Sequence, residues 1–297
     1  MLSAWKTLSP GAQAAALAIA STAVDAVSLT LIKLAGAGIS GWQVAFNTFG
    51  VGLVVLIPYA LARGHRIIPQ RFVWIHVARG ALGITSLAAF YISLAGMKMP
   101  DAVAFNFATP LFVIVLAVLF LGEKVGWRRW TATIVGFIGV LVMVRPSPSM
   151  EPVVLWALLC CITAAAGLIC MKFLTAHETS ITLAITLGSL ALVFGAVPAF
   201  LAWQPLSLLQ WALLTGGALV NLVSQQCMLT AFSKADATTI APLTYLRLVF
   251  AGVVAAIVFG EYPDLWTLVG ASIIIASTAY IAHREAQRRR EAARGLV

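Results

Sequence analysis

Between Thr179 and Ser233 the chain carries no Asp, Glu, Lys or Arg. A helix needs roughly 20 apolar residues to cross the hydrocarbon core of a bilayer, so this run holds two crossings. The joint between them is Trp203-Gln204-Pro205. The rest of the chain is of the same kind: 61% of its 297 residues are hydrophobic and 10% are charged. A soluble domain carries about 25% charged residues. This composition therefore excludes a soluble enzyme, a DNA-binding protein and a disordered tail.

The same reading along the chain gives about ten spans, at 12–33, 40–62, 72–96, 101–121, 128–145, 153–172, 179–202, 207–231, 236–259 and 264–283. Their joints carry Pro, Gly or charge, as at Gly64-His65-Arg66 and Arg145-Pro146-Ser147-Pro148, and are too short to hold a soluble domain. Ala18-Ile19-Ala20 resembles the cleavage site of a secretory leader. With Lys6 the only charge ahead of it, and with the repeat described below needing a first helix, this segment is read as a span.

Lys and Arg mark the orientation, because cytoplasmic loops carry their excess. With the N-terminus inside, Lys6, Arg63, Arg66, Arg71, Lys124, Arg128, Arg129, Lys172, Lys234 and the five Arg residues from Arg284 to Arg294 all fall on the inner side. Only Lys33, Lys98 and Arg145 fall on the outer side. Both termini are thus expected in the cytoplasm. The net charge of +9 reports topology and lipid contact rather than a nucleic-acid partner. The basic run at 285–297 reads as a cytoplasmic tail held on anionic lipid.

Span 4 ends Phe120-Leu121-Gly122-Glu123 and span 9 ends Val258-Phe259-Gly260-Glu261, 138 residues later. At the same offset Ala132 falls on Gly270 and Gly139 on Ser277, all small residues of the following helix. The chain therefore reads as an all-α polytopic membrane protein built from two five-helix repeats, 1–149 and 150–284. An odd number of helices per repeat inverts the second half. Inverted repeats give two structures of similar energy, one open to each side, with a binding site near the midplane. That points to a carrier rather than an enzyme.

The run from Arg79-Gly80 through Asn106-Phe107-Ala108-Thr109-Pro110 to Phe120-Leu121-Gly122-Glu123-Lys124 resembles the EamA-type repeat of the drug/metabolite transporter superfamily. Ala231 to Lys234, Thr244-Tyr245-Leu246 and Phe259-Gly260-Glu261 repeat it more loosely. The resemblance implies ten helices in two inverted repeats in the bacterial inner membrane. It also implies export of small metabolites, amino acids and aromatic ones among them. The chain departs from the family at Arg247-Leu248, where an acidic residue and Pro are common, and its Pro lies earlier, at Pro242. A cation at that position favours a substrate with a carboxylate.

A charge near the bilayer centre costs about 2.5–3.5 kcal/mol on insertion scales, so it faces a cavity or a partner. Arg247 lies halfway along span 9 and is a candidate for a substrate carboxylate, or for a structural role with Asp25. Asp25, central in span 1, is a candidate for proton coupling, for a substrate ammonium or for an ion pair with Arg247. Arg79 lies nearer a span end, where a long stem lets the charge snorkel to the headgroups; it is read as structural or as a cytoplasmic gate. Asn221 and Gln225 are four apart and share a helix face. At the repeat offset Asn106 corresponds to Thr244 and Phe107 to Tyr245, a polar-aromatic pair in each half. These six residues with Arg247 and Phe90 are the candidate substrate site, helix packing being the other reading. Trp42, Phe46, Tyr91 and Trp156 are further deep aromatics. The four cysteines read as apolar filler, no metal-ligand spacing occurs, and no catalytic cluster or cofactor motif is seen.

The expectation is an inner-membrane secondary transporter that exports small amphipathic metabolites, amino acids first, by alternating access. Its cavity would be lined by spans 1, 3, 4, 6, 8 and 9. The alternative is an importer or exchanger of another class, such as nucleosides or phosphorylated sugars. Monomer and homodimer both stay open.

Overall fold

The structure, a computed structural model, describes residues 10–36, 38–64, 67–69, 71–122, 126–145, 152–175, 177–234, 240 and 243–293. Lys6, Glu123, Lys124, Pro242 and the last four residues of the tail lie outside these. Among the described residues eleven helices are formed: α1 (Pro10–Ala35), α2 (Gly41–Ala62), α3 (Val73–Gly96), α4 (Met99–Asn106), α5 (Thr109–Leu121), α6 (Trp127–Val144), α7 (Val153–Leu174), α8 (Ser180–Leu201), α9 (Leu208–Lys234), α10 (Leu246–Phe259) and α11 (Leu265–Ala293). No strand occurs among the described residues.

Among the described residues seven stretches are long and apolar enough to cross a membrane, α4 and α5 together making one. Three shorter apolar helices, Trp130–Val144, Leu246–Phe259 and Leu265–Ile281, make up the expected ten. Their backbone groups are satisfied within each helix, as hydrocarbon requires. Buried hydroxyls follow the same rule by turning back on their own helix, Thr30 Oγ1 to Ala26 O at 2.7 Å and Ser93 Oγ to Ala89 O at 2.7 Å. The outward faces carry the large apolar side chains that water would reject. Val54 is 74% exposed, Leu119 69% and Ile257 78%, a surface suited to lipid. Trp74, Trp127 and Trp266 stand exposed near helix ends, as interface anchors do.

The helices alternate between two faces of the bundle. The near face is where α1 begins and where α2, α5, α7 and α9 end; the far face is where α1, α3, α6, α8 and α10 end. The three basic residues expected outside, Lys33, Lys98 and Arg145, share the far face, and each has a partner there.

The repeat is visible in backbone detail. Span 4 breaks at Phe107-Ala108, because Pro110 has no N–H for the Asn106 carbonyl and the chain tightens for one turn. Span 9 breaks at Tyr245, which is Phe107 moved by the offset of 138. Gly122 and Gly260 both end their helices in the left-handed region, with φ of 63° and 64°. Their N–H groups donate to Ala117 and Ala255, again one offset apart. The packing obeys the same exchange. α1 lies on α9 as α7 lies on α3, while α2 meets α8 and α6 meets α11 across the pseudo-twofold axis.

At that axis the small residues picked out by the offset do the joining. Ser277 Oγ donates to Ala132 O at 2.7 Å, and the exchanged pair is Gly139 against Gly270. A Cβ on Gly270 would stand 2.3 Å from Met143 Cγ and 2.6 Å from the Gly139 carbonyl. Overpacking of this kind costs about 1–3 kcal/mol. Gly270→Leu is therefore expected to lower the melting temperature of the detergent-solubilised protein. Gly50→Ala, whose added Cβ meets nothing within 4 Å, is expected to leave it unchanged.

Candidate functional site

Polar residues scattered along seven spans converge on one cavity of about 670 Å³ in the middle of the bundle. It runs from the level of Asp25, Tyr91 and Arg247 towards the near face, where Arg79, Met171 and Ala184 line it. Glycines make the room. Gly167 on α7 faces it with nothing within 4 Å of a would-be Cβ. Of the expected spans, 1, 3, 4, 6, 8 and 9 all contribute. The wall also takes in Thr48, Phe49 and Gly52 from α2 and Ala184, Leu187 and Gly188 from α8.

The deepest feature is an ion pair between the first helix of one repeat and the fourth span of the other. Arg247 Nε stands 2.5 Å from Asp25 Oδ2, with the side chains 29% and 12% exposed. The contact is one of charge, since neither atom makes a well-aligned hydrogen bond. The second carboxylate oxygen accepts from Asn221 Nδ2 at 3.4 Å, and Asn221 Oδ1 accepts from Gln225 Nε2 at 2.8 Å. The guanidinium carbon lies 5.9 Å from the centre of the Phe90 ring, within cation–π range. Asn106 Oδ1 accepts from Cys160 Sγ at 3.5 Å on the same wall. This is a pair of opposite charges beside an aromatic surface, bordered by amides.

Asn106, Arg247, Asn221, Gln225 and Phe90, with Asp25 and Arg79, thus share the cavity. Phe107, Tyr245 and Thr244 do not line it. Phe107 and Tyr245 meet each other instead, edge to face at 5.3 Å between ring centres, and Tyr245 Oη lies 2.7 Å from Thr278 Oγ1. Equivalent residues of the two repeats touch here at the pseudo-twofold axis, where both spans break. Among the other deep aromatics Tyr91 lines the cavity, while Phe46 packs on Phe200 and Trp203. Arg79 does not snorkel. It is 8% exposed and donates from Nη1 to the Leu183 carbonyl at 2.8 Å, held between α3 and α8.

Towards the far face a set of polar contacts ties the helix ends together. Lys33 Nζ reaches both oxygens of Glu261 at 2.7 Å and the Met97 carbonyl at 3.0 Å, and Glu261 Oε2 accepts from the Met99 N–H at 2.8 Å. One residue pair thereby ties α1, the α3–α4 joint and the end of α10. Arg145 pairs with Asp264, Lys98 Nζ donates to Tyr262 O, and Gln43 and Gln204 bond twice, at 2.9 and 3.1 Å. Below these contacts lies a small void of about 110 Å³, bounded by Lys33, Leu94 and Tyr91. Tyr91 borders both that void and the central cavity.

Reading single residues missed the Lys33–Glu261 latch and the cavity roles of Thr48, Ser86 and Cys160. The Gly-Glu repeat marked Glu261 and the outer-loop count marked Lys33, but pairing them needed the fold. Cys160 looked like filler because nothing in the sequence says that Asn106 lies opposite it.

The sequence model of the EamA-like transporter family matches the chain twice, over residues 12–145 and 151–282. A relative from Rickettsia bellii, an S-adenosylmethionine uptake transporter, is 32% identical over 90% of this chain and 91% of its own. A riboflavin transporter from Vibrio cholerae is 29% identical over 85% of this chain and 86% of its own. The pseudopaline exporter of Pseudomonas aeruginosa is 28% identical over 88% and 93%. A solved crystal structure superposes with a TM-score of 0.61 at 18% identity, covering 92% of this chain and 98% of that one, which shows the shared fold. The chain belongs to the EamA-like transporter family and is a multi-pass membrane transporter of its kind.

Proposed function

We propose that this chain is a secondary carrier for a nucleoside-sized amphipathic metabolite with an amino-acid head, held at the Asp25–Arg247 pair. One observation carries the reading: opposite charges in contact at the deep end of a 670 Å³ cavity. An α-amino acid presents an ammonium and a carboxylate a few atoms apart. Inserted between Asp25 and Arg247 it replaces one ion pair with two, leaving no charge unpaired. Asn221 and Gln225 extend the polar edge, and Phe90, Phe49 and Tyr91 offer the surface for an apolar or aromatic body.

Volume argues against a plain amino acid as the whole cargo. Pockets of about 300–1,000 Å³ enclose ligands of drug size, and a free amino acid fills a fraction of this one. S-adenosylmethionine and riboflavin, the cargoes named for two relatives, are of the right size, and the first carries an amino-acid head. The export of amino acids implied by the family resemblance finds no specific support among these relatives, which include both an uptake protein and an exporter. An alternating-access carrier is reversible, so net direction follows the gradients of cargo and coupling ion rather than the fold.

In this reading the structure is the state open towards the near face, and the Lys33–Glu261 latch holds the far side shut. The excess of Lys and Arg on the near face makes that face cytoplasmic in a bacterial inner membrane.

Counterflow in proteoliposomes tests the cargo. Labelled S-adenosylmethionine, riboflavin and an aromatic amino acid are offered in turn, and the first two are expected to exchange faster than the third. Preference for the free amino acid would overturn the size argument. Asp25→Asn and Arg247→Gln are each expected to abolish exchange of an amino-acid-headed cargo, and each single variant is expected to be less stable than the double variant. Removing one member of a buried pair costs about 3–5 kcal/mol, whereas neutralising both leaves no stranded charge. The latch is tested at Leu94, which is 1% exposed beneath it. Glu261→Gln is expected to raise the rate at which an impermeant maleimide labels Leu94→Cys from the far side, and an unchanged rate would reject the latch.

A further inference from the structure

The Asp25–Arg247 pair leaves one charge in the cavity unanswered. Arg79 is 8% exposed, lines the same cavity, and spends one N–H on the Leu183 carbonyl. Among the described residues no carboxylate pairs with it. Among the described residues that line it, the cavity therefore holds two guanidinium groups against one carboxylate. The surplus cation is separated from the deep pair: Phe90, which touches Arg247, is eleven residues further along α3, or about 16 Å at the helical rise.

Its surroundings are open. Ser86 Oγ donates to the Cys160 carbonyl at 3.2 Å, which fixes the antiparallel register of α3 and α7. Seven residues back on α3 is Arg79 and seven residues on along α7 is Gly167, so the two positions stand level across the cavity. Nothing lies within 4 Å of a Cβ at Gly167. The cationic site thus faces unfilled space, with Met171, Ala184 and Leu187 around it offering no competing acceptor.

We infer that Arg79 forms an anion subsite, separate from the amino-acid end, that takes a carboxylate or phosphate on the far end of the cargo. This rests on the carrier reading above and narrows it. The preferred cargo is two-ended, with a zwitterionic head at Asp25 and Arg247 and an anionic or electron-rich tail at Arg79. A guanidinium gives such a group two parallel hydrogen bonds, which a lysine ammonium does not.

The test first measures the subsite without any cargo. In a chain whose four cysteines are replaced by Ala, Gly167→Cys is labelled with two thiosulfonate reagents of similar size, one anionic and one cationic. The anionic reagent is expected to react about tenfold faster, at the low end of what a charged cleft does to encounter rates. Arg79→Gln is expected to bring the ratio close to one, and Arg79→Lys to preserve it. A ratio near one in the parent, or one that survives Arg79→Gln, overturns the subsite.

The second arm compares riboflavin with its 5′-phosphate as protectants of Gly167→Cys. The phosphate is expected to protect at about tenfold lower concentration, equivalent to one charge-assisted contact. Arg79→Gln is expected to remove that advantage, and Arg79→Lys to weaken it. Equal protection by both in the parent overturns the two-ended cargo. Should the reagent ratio behave as expected while neither flavin protects and none of the cargoes exchanges, the nucleoside-sized reading fails and the anion subsite stands.

Discussion

A charge in hydrocarbon must be answered, and the ion pair of Asp25 with Arg247 is where this fold answers it. Each residue alone would cost several kcal/mol at the depth of its span. Together they tie α1 of the first repeat to α10 of the second, the two halves that must move against each other in a carrier. The amides follow from the pair. Asn221 serves the carboxylate, and Gln225 serves Asn221, so a chain of partners extends from the charge along one face of α9. A polar wall of this kind keeps a cavity wet, and a wet cavity keeps the helices from closing on it. The binding space and the charges that line it are thus one physical fact.

The inverted repeat explains why that space leans to one side. Ser86 with Cys160 on α3 and α7 is matched by Ser224 with Ser21 on α9 and α1: Ser224 is Ser86 moved by 138, and Ser21 stands one residue before Thr22, the position the offset gives for Cys160. Moving on by the same steps, Arg79 and Gly167 are matched by Gly217 and Ser28. On the far side that second contact is closed: Ser28 Oγ donates to the Gly217 carbonyl at 2.8 Å, and a Cβ on Gly217 would stand 2.7 Å from Ile32. On the near side its counterpart is open around Gly167. The two repeats have one packing plan and hold it in two states, tight where Lys33 and Glu261 latch and loose where Arg79 lines the cavity. In the carrier cycle proposed above, exchanging these two states would turn the cavity over.

How much of this was legible depends on the length scale of the signal. Span number and repeat were readable because they are properties of contiguous sequence: runs without charge and a Gly-Glu pair at a fixed offset. The deep charges were readable because the bilayer makes each one conspicuous, and Asp25 with Arg247 was an expected alternative to direct substrate contact. What sequence could not show was orientation about each helix axis. Phe107 and Tyr245 sit at the right depth and in the right chemistry, yet rotation sends them to each other at the pseudo-twofold axis rather than to the cavity. Arg79 was near enough to a span end for its stem to reach the interface. The Leu183 carbonyl, supplied by a helix a hundred residues away, turned it inward instead. The α2 and α8 walls were missed for a related reason: the polar residues of α2 and α8 include Gln43, Asn47, Thr182 and Thr186, which do not line the cavity, so their polar faces did not announce which side looked inwards.

The relatives carry cargoes as unlike as a sulfonium amino acid and a flavin on chains that align almost end to end with this one. A fold that serves such different molecules cannot owe its selectivity to helix arrangement. Selectivity has to reside in the few cavity groups that are costly to leave unpaired, because an unanswered buried charge or amide discriminates far more sharply than a lost apolar contact. In this chain those groups are Asp25, Arg247, Arg79 and three amides, Asn106, Asn221 and Gln225. Phe49, Phe90, Leu187 and Met171 line the rest of that wall with apolar surface. For the two-ended cargo proposed above, identity would be set by the positions of charge at its ends, and the middle of the molecule is where the relatives' cargoes would be free to differ.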